Sequence, residues 1–300
     1  MNILITGGAG FVGSYLTGLL SDKGHKITII SRHPEVNQRF GSSVSFLAAD
    51  CMKPGSWQNT VGDHDVVVNL AGVSINKRWD ENHKRLLRDS RILTTRYVVD
   101  AIPVGKAPQV TLVNASGVGY YGFTRDEELS EDAPPGSDFL ARLARDWEAE
   151  AQKGKLKGAR VIIARLGIVL GRNGGALNEM IRPFRYFVGG PLGNGLQWFP
   201  WIHIYDLCQA ITFSIEKSSV EGPINCVAPT PVRNCDLAKA IGKVLKRPRF
   251  VRVPAILIRL MLGEFGSVIL EGQRALPKAL LEKGFKFRFV TIEDALTDLL

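Results

Sequence analysis

Ile3-Leu4-Ile5-Thr6-Gly7-Gly8-Ala9-Gly10-Phe11-Val12-Gly13 is the stretch on which the reading of this chain turns. An apolar strand pattern runs directly into a turn with glycines at 7, 10 and 13, and an apolar helix pattern follows. Gly7 permits a tight turn. Gly10 lets the backbone approach a pyrophosphate, and Gly13 lets the helix pack on the strand. The helix N-terminus then presents N–H groups and the positive end of its dipole to an anion. A glycine-rich loop that merely turns the chain is the plainer alternative. The strand before and helix after favour a dinucleotide site.

Outward from this turn, strand-like and helical patterns alternate to about residue 170. Strands are expected over 2–6, 26–31, 44–48, 65–70, 110–114 and 160–166, and helices over 11–22, 79–102 and 139–152. Such alternation predicts a parallel sheet covered on both faces, an α/β doubly wound Rossmann arrangement over residues 1–171. After Gly171 the texture changes. Glycine-rich stretches at 172–175 and 189–195 read as loops. Shorter elements follow: a strand over 199–204, a helix over 206–216, a strand over 224–227 and a helix over 235–245. The pieces around 199–228 are expected to join the first domain. Mostly helical patterns at 254–262, 277–283 and 292–300 close the chain. Residues 172–300 are therefore expected to form a smaller mixed, mostly helical region that caps the crevice from the substrate side.

A chain of 300 residues with 45% hydrophobic and 22% charged residues has the makings of a globular protein with a full core. No apolar run reaches the length of a membrane span, and no leader is expected ahead of the first strand. Cys51, Cys208, Cys226 and Cys235 form no CxxC and have no histidine at metal spacing, so reduced thiols in a cytoplasmic setting are expected, with no metal. The net charge is +9. The basic residues read as scattered, without a nucleic-acid arm. Neither nucleic acid nor membrane is expected as a partner, and a phosphorylated cofactor is a candidate for the attraction.

The second strand ends Ile29-Ile30-Ser31-Arg32-His33. An NAD site usually has a carboxylate here for the ribose 2′-hydroxyl. Glu35 comes only later, beyond Pro34, whereas Ser31 and Arg32 offer donors to a 2′-phosphate. NADP(H) is the expected cofactor. Asp50, after the third strand, is placed to accept from the adenine amino group or to cap a turn. Asn69-Leu70-Ala71-Gly72 ends the fourth strand with small residues that admit ribose and phosphates.

Taken with Ser116, Tyr120-Tyr121-Gly122, Arg165-to-Gly171 and Trp201-Ile-His-Ile-Tyr-Asp206, these stretches resemble the extended short-chain dehydrogenase/reductase superfamily, the NAD-dependent epimerase/dehydratase kind. Lys77-Arg78-Trp79, Ser90-Arg91, Asp146-Trp147-Glu148, Pro200-to-Ile204, and the tail motifs Val253-Pro254-Ala255, Leu270-to-Arg274 and Gly284-Phe285 are more narrowly similar to the atypical "epimerase family proteins", which end in a domain of unknown function. The resemblance implies a cofactor set of Gly7, Gly10, Phe11, Val12, Gly13, Ser31, Arg32, Asp50, Leu70, Ala71, Gly72, Arg91 and Val169. It implies catalysis by a Ser or Thr with a Tyr-x-x-x-Lys pair.

The chain departs from that catalytic pattern. Ser116 stands near the serine position, but residues 138–148 contain neither tyrosine nor lysine. Phe139 and Leu143, or Leu140 and Ala144, take their place, and Arg91 replaces an active-site asparagine. Ser116, Tyr120 and Tyr121 remain as candidate proton donors, with core packing the alternative for the tyrosines. Gly193-Asn-Gly195-Leu-Gln197 resembles a sugar-nucleotide loop, yet Phe199 stands where an arginine commonly binds phosphates. Trp198 and Trp201 add aromatic surface or core. His203 is expected to pack rather than catalyse, and Arg165 and Asp206 to pair or orient loops. The expectation is an oxidoreductase or epimerase-like enzyme on an unknown small substrate, such as a sugar or nucleotide derivative. A regulatory or sensor protein that holds NADP(H) without turnover is the alternative.

Overall fold

Alternating apolar residues on consecutive strands bury two faces of one parallel sheet. The computed structural model describes residues 1–32, 40–105, 109–172 and 174–300. Seven strands form its main sheet: β1 (Asn2–Thr6), β2 (Lys26–Ser31), β3 (Val44–Ala48), β4 (Val66–Asn69), β5 (Thr111–Gly117), β6 (Arg160–Leu166) and β7 (Gly222–Cys226). Their order is β7-β6-β5-β4-β1-β2-β3, with every pair parallel. The order reverses between β1 and β4, the switch point beyond whose carboxyl ends doubly wound sheets hold ligands.

The two-residue period of a strand sorts the side chains. Ile3, Ile5, Val66 and Val68 face α1 (Phe11–Asp22) and the later helix over Ile204–Glu216. Leu4, Val67, Leu112 and Val161 face the opposite layer, α2 (Glu81–Ala101) and α3 (Phe139–Gln152). Asp80 caps α2 by accepting the His83 amide, and Asp138 caps α3 by accepting the Ala141 amide.

Residues 177–185, to which the sequence reading assigns no element, form α4 (Leu177–Arg185). Flanking glycines obscured its pattern, but Leu177, Ile181 and Phe184 lie on one helical face and are all buried. The strand expected over 199–204 is broken at Pro200. Trp198–Phe199 pairs with Val232–Arg233, while Trp201–His203 joins Ile168–Gly171. The remaining helices are α5 (Ile204–Glu216), α6 (Asn234–Leu245), α7 (Ala255–Leu262), α8 (Glu264–Leu270), α9 (Lys278–Glu282) and α10 (Ile292–Leu299). A second core joins α4, α6 and α10 through Ile181, Leu237, Ile241, Leu296 and Leu299. The tail is tied to the sheet domain at Asp206, whose carboxylate accepts the Arg288 and Phe289 amides at 2.9 and 2.8 Å. No described helix is long and apolar enough to cross a membrane.

Candidate cofactor and active site

The 7–13 turn is shaped by close backbone packing. Gly7 has φ +71°, and a Cβ on it would lie 2.9 Å from the Leu70 carbonyl carbon. A Cβ on Gly13 would lie 2.2 Å from the Gly7 carbonyl oxygen, so no larger residue fits. Gly10 donates its amide to the Gly7 carbonyl at 3.0 Å and enters α1 without a side-chain cap. The first turn of α1 also lacks an acidic residue. Its N-terminal N–H groups and dipole therefore face the switch point with, among the described residues, no side-chain cap and no acidic residue in the first turn to satisfy them. Phe11 packs on the turn at 171–175, where a Cβ on Gly174 would lie 2.5 Å from its ring. Val12 and Val169 pack against the core beside α5.

Along the crevice, Ser31 ends β2 and Arg32 follows it, exposed. His33, Pro34 and Glu35 lie outside the described residues, as does Asn173. Asp50 accepts the Met52 amide at 3.1 Å, a turn-capping bond. Leu70, Ala71 and Gly72 continue from β4 beside the glycine turn.

Arg91 reaches this place from α2. Its guanidinium donates to the carbonyls of Leu87 and Val73, both at 3.1 Å, and lies 5.3 Å from the Trp147 ring. A Cβ on Gly72 would be 3.4 Å from its Cζ. Among the described residues no carboxylate pairs with it. Burial pulls its pKa down to about 10, which leaves it charged at neutral pH. A partly buried cation whose hydrogen bonds, among the described residues, go to carbonyls and not to a carboxylate is set to receive an anion.

Sequence reasoning missed the polar floor beneath these groups. Thr6 donates to Asn69 Oδ1 at 2.5 Å, and Asn69 Nδ2 donates to Thr95 Oγ1 at 2.9 Å and Asn114 Oδ1 at 2.7 Å. Trp147 donates to Thr95 at 2.8 Å. All five are buried. The network locks β1, β4, β5, α2 and α3 together at the carboxyl end of the sheet. Two asparagines ending adjacent apolar strands were its only trace in the sequence.

Ser116 and Tyr121 come together around Arg165. Arg165 donates through Nε and Nη2 to the two Glu148 carboxylate oxygens, both at 2.9 Å. Ser116 donates to Glu148 Oε1 at 2.7 Å. Tyr121 donates to Asn225 Oδ1 at 2.7 Å and accepts from Arg165 at 3.0 Å. Burial pushes the Tyr121 phenol up to about 12, against the lowering pull of Arg165. Tyr120 lies with its ring 3.6 Å from the Arg165 guanidinium carbon. One turn earlier on α3 than Glu148, the groups are apolar: Leu143 and Ala144 are buried, and Leu140 packs where a Cβ on Gly119 would lie 3.2 Å away.

On the substrate side, Gln197 donates to the Leu192 and Ile269 carbonyls and ties its loop to α8. Phe199 and Trp201 are core residues. The guanidiniums of Arg233 and Arg274 lie 4.4 and 5.0 Å from the Trp198 ring. His203 caps α5 by accepting the Tyr205 amide at 3.0 Å and stacks on Phe289 at 3.8 Å.

Residues 3–226 match the model of the NAD dependent epimerase/dehydratase family, and residues 253–299 match a domain of unknown function. The chain is 40% identical over 299 residues to a chloroplastic SDR39U1 homolog of the epimerase family from Arabidopsis thaliana, covering 99% of this chain and 86% of that one. It is 39% identical over 302 residues to the epimerase family protein YfhF of Bacillus subtilis, covering 100% and 98%. Among solved structures it is similar to human epimerase family protein SDR39U1 with NADPH, at TM-score 0.85 and 34% identity over 100% of this chain and 99% of that one. A UDP-glucuronic acid 4-epimerase from Bacillus cereus with NAD shares the fold at TM-score 0.78 and 19% identity, over 99% and 96%.

Proposed function

The chain belongs to the NAD dependent epimerase/dehydratase family, and on that premise we propose that it is an NADP(H)-binding protein of the extended short-chain dehydrogenase/reductase type, acting as an oxidoreductase or epimerase-like enzyme on a small substrate. The uncapped N-terminus of α1 at the switch point, behind a turn where Gly13 admits no Cβ, carries this reading. The α1 amides would hold the pyrophosphate, and Arg91 would supply the cation beside it. Ser31 and Arg32 would meet the 2′-phosphate. The NADPH in the human relative supports the choice of cofactor. When bound, NADP(H) supplies hydride transfer.

The residues that move the proton are not those usual in the superfamily. Ser116 and Tyr121 are engaged with Glu148 and Asn225, which suits them to positioning. The Tyr120 hydroxyl has no partner among the described residues and is the best-placed donor. The engagement of Ser116 and Tyr121 also favours a second reading, an NADP(H) sensor without turnover.

Calorimetric titration of NADPH and NADH tests the cofactor assignment. NADPH should bind more tightly, and Arg32→Ala should lose about 1.5–3 kcal/mol of that preference, tenfold or more. Equal affinities, or a preference unchanged in Arg32→Ala, would sink it.

A further inference from the structure

Helix α7 shows the wrong side to water. Ile258 and Leu262 turn inward, Ile258 buried and Leu262 packed with Phe265, while Ile256, Leu260 and Met261 are 74, 73 and 72% exposed. Just before it, Phe250 is 79% exposed. The loop after α4 joins the same surface. Val251 donates to the Gly189 carbonyl and Val253 to that of Pro191. This brings exposed Tyr186 and Phe187 alongside, with Phe187 4.3 Å from the Arg247 guanidinium carbon. Phe187 has φ +64°, a costly conformation for a bulky residue.

The charges around this patch are mostly basic, with Glu271, 4.0 Å from Arg259, an exception. From Lys239 to Arg259 there are seven basic residues and no Asp or Glu, a cluster that the sequence reading took as scattered charge. Lys246, Arg249 and Arg252 are exposed beside the apolar groups. Exposed aliphatic and aromatic side chains ringed by arginine fit an interface that is apolar below and anionic above. A second copy of the chain would bring these arginines against their own like, and charge complementarity disfavours it. We propose that α7 and the 186–188 loop form a peripheral docking surface for an anionic phospholipid bilayer. This departs from the expectation that membranes are not a partner.

Co-sedimentation of the full chain with vesicles tests it. The protein should pellet with phosphatidylcholine mixed with phosphatidylglycerol, and at least about tenfold less with phosphatidylcholine alone. Salt near 1 M, where screening acts within roughly 3 Å, should release it. Ile256→Ser combined with Leu260→Ser and Met261→Ser should abolish pelleting, and so should Arg249→Glu with Arg252→Glu. Unchanged melting temperature and NADPH affinity would show both variants to be folded. Folded protein that stays in solution with both vesicles overturns the proposal. So does a wild type that is dimeric where the serine variant is monomeric, which would assign the patch to a second copy.

Discussion

Arg91 shows how a single residue can be read once its neighbours are known. In the sequence it was an odd substitution for an asparagine. In the fold its guanidinium lies beside Gly72, held by two carbonyls and, among the described residues, no acid. Arg91→Ala should weaken NADPH binding by about 1.5–3 kcal/mol, measured by calorimetry. The apo melting temperature should hardly move, because losing two hydrogen bonds is offset by removing a desolvated charge. A large drop in apo stability with unchanged affinity would make Arg91 a structural residue. His203 has a different role, set by burial. Its pKa is pushed from the ordinary 6.5 down to about 4, chiefly by desolvation, partly opposed by Asp298 at 3.4 Å. Between those values the unfolded chain binds the proton and the folded chain does not, so stability falls as pH drops from about 6.5 to about 4. The loss is on the order of 3 kcal/mol when complete. Urea unfolding across this range should show a shallower decline for His203→Asn, which keeps an acceptor for the α5 cap. Parallel curves would remove His203 as the cause.

At the scale of elements, α1 and α3 differ in how much they said in advance. The bounds of α1, Phe11–Asp22, were legible because glycines, apolar spacing and Gly24 all agree. The bounds of α3 were equally clear, yet its meaning lay in what it lacks. Its apolar residues Leu140 and Leu143 pack against the turn after β5 and neighbouring helices, and Ala144 is buried, so none of them can exchange a proton. Acid/base catalysis is typically worth roughly 10²–10⁴-fold. Turnover of UDP-sugars by a standard epimerase assay should therefore fall short of an ordinary family member by about that factor. Robust epimerisation would show that another group replaces the missing pair fully. Helix α4 went unseen because three apolar residues between glycine-rich stretches carry little signal until α6 and α10 cover them.

Across the whole molecule, the tail is part of the core and not an appendage. Ile292, Ala295, Leu296 and Leu299 are buried, and α10 packs on α6. Full burial of three such large aliphatic side chains is worth roughly 5–9 kcal/mol, comparable with the net stability of a domain. A chain ending at residue 290 should be unfolded or insoluble, as read by circular dichroism and gel filtration. A soluble, cooperatively folding truncation that binds NADPH would show the sheet domain to be self-sufficient.

The succession of strands and helices along the chain, the phosphate-binding turn and the missing Tyr/Lys pair were written in local sequence, because period, glycine placement and residue identity act over a few neighbouring positions. The Asn69–Asn114–Thr95 floor, the Arg165–Glu148–Ser116 cluster and the solitary charge of Arg91 were decided only in three dimensions. Each joins residues 17 to 45 positions apart or depends on which carboxylates are absent nearby. Burial and pairing are properties of the packed chain, and no window of sequence contains them.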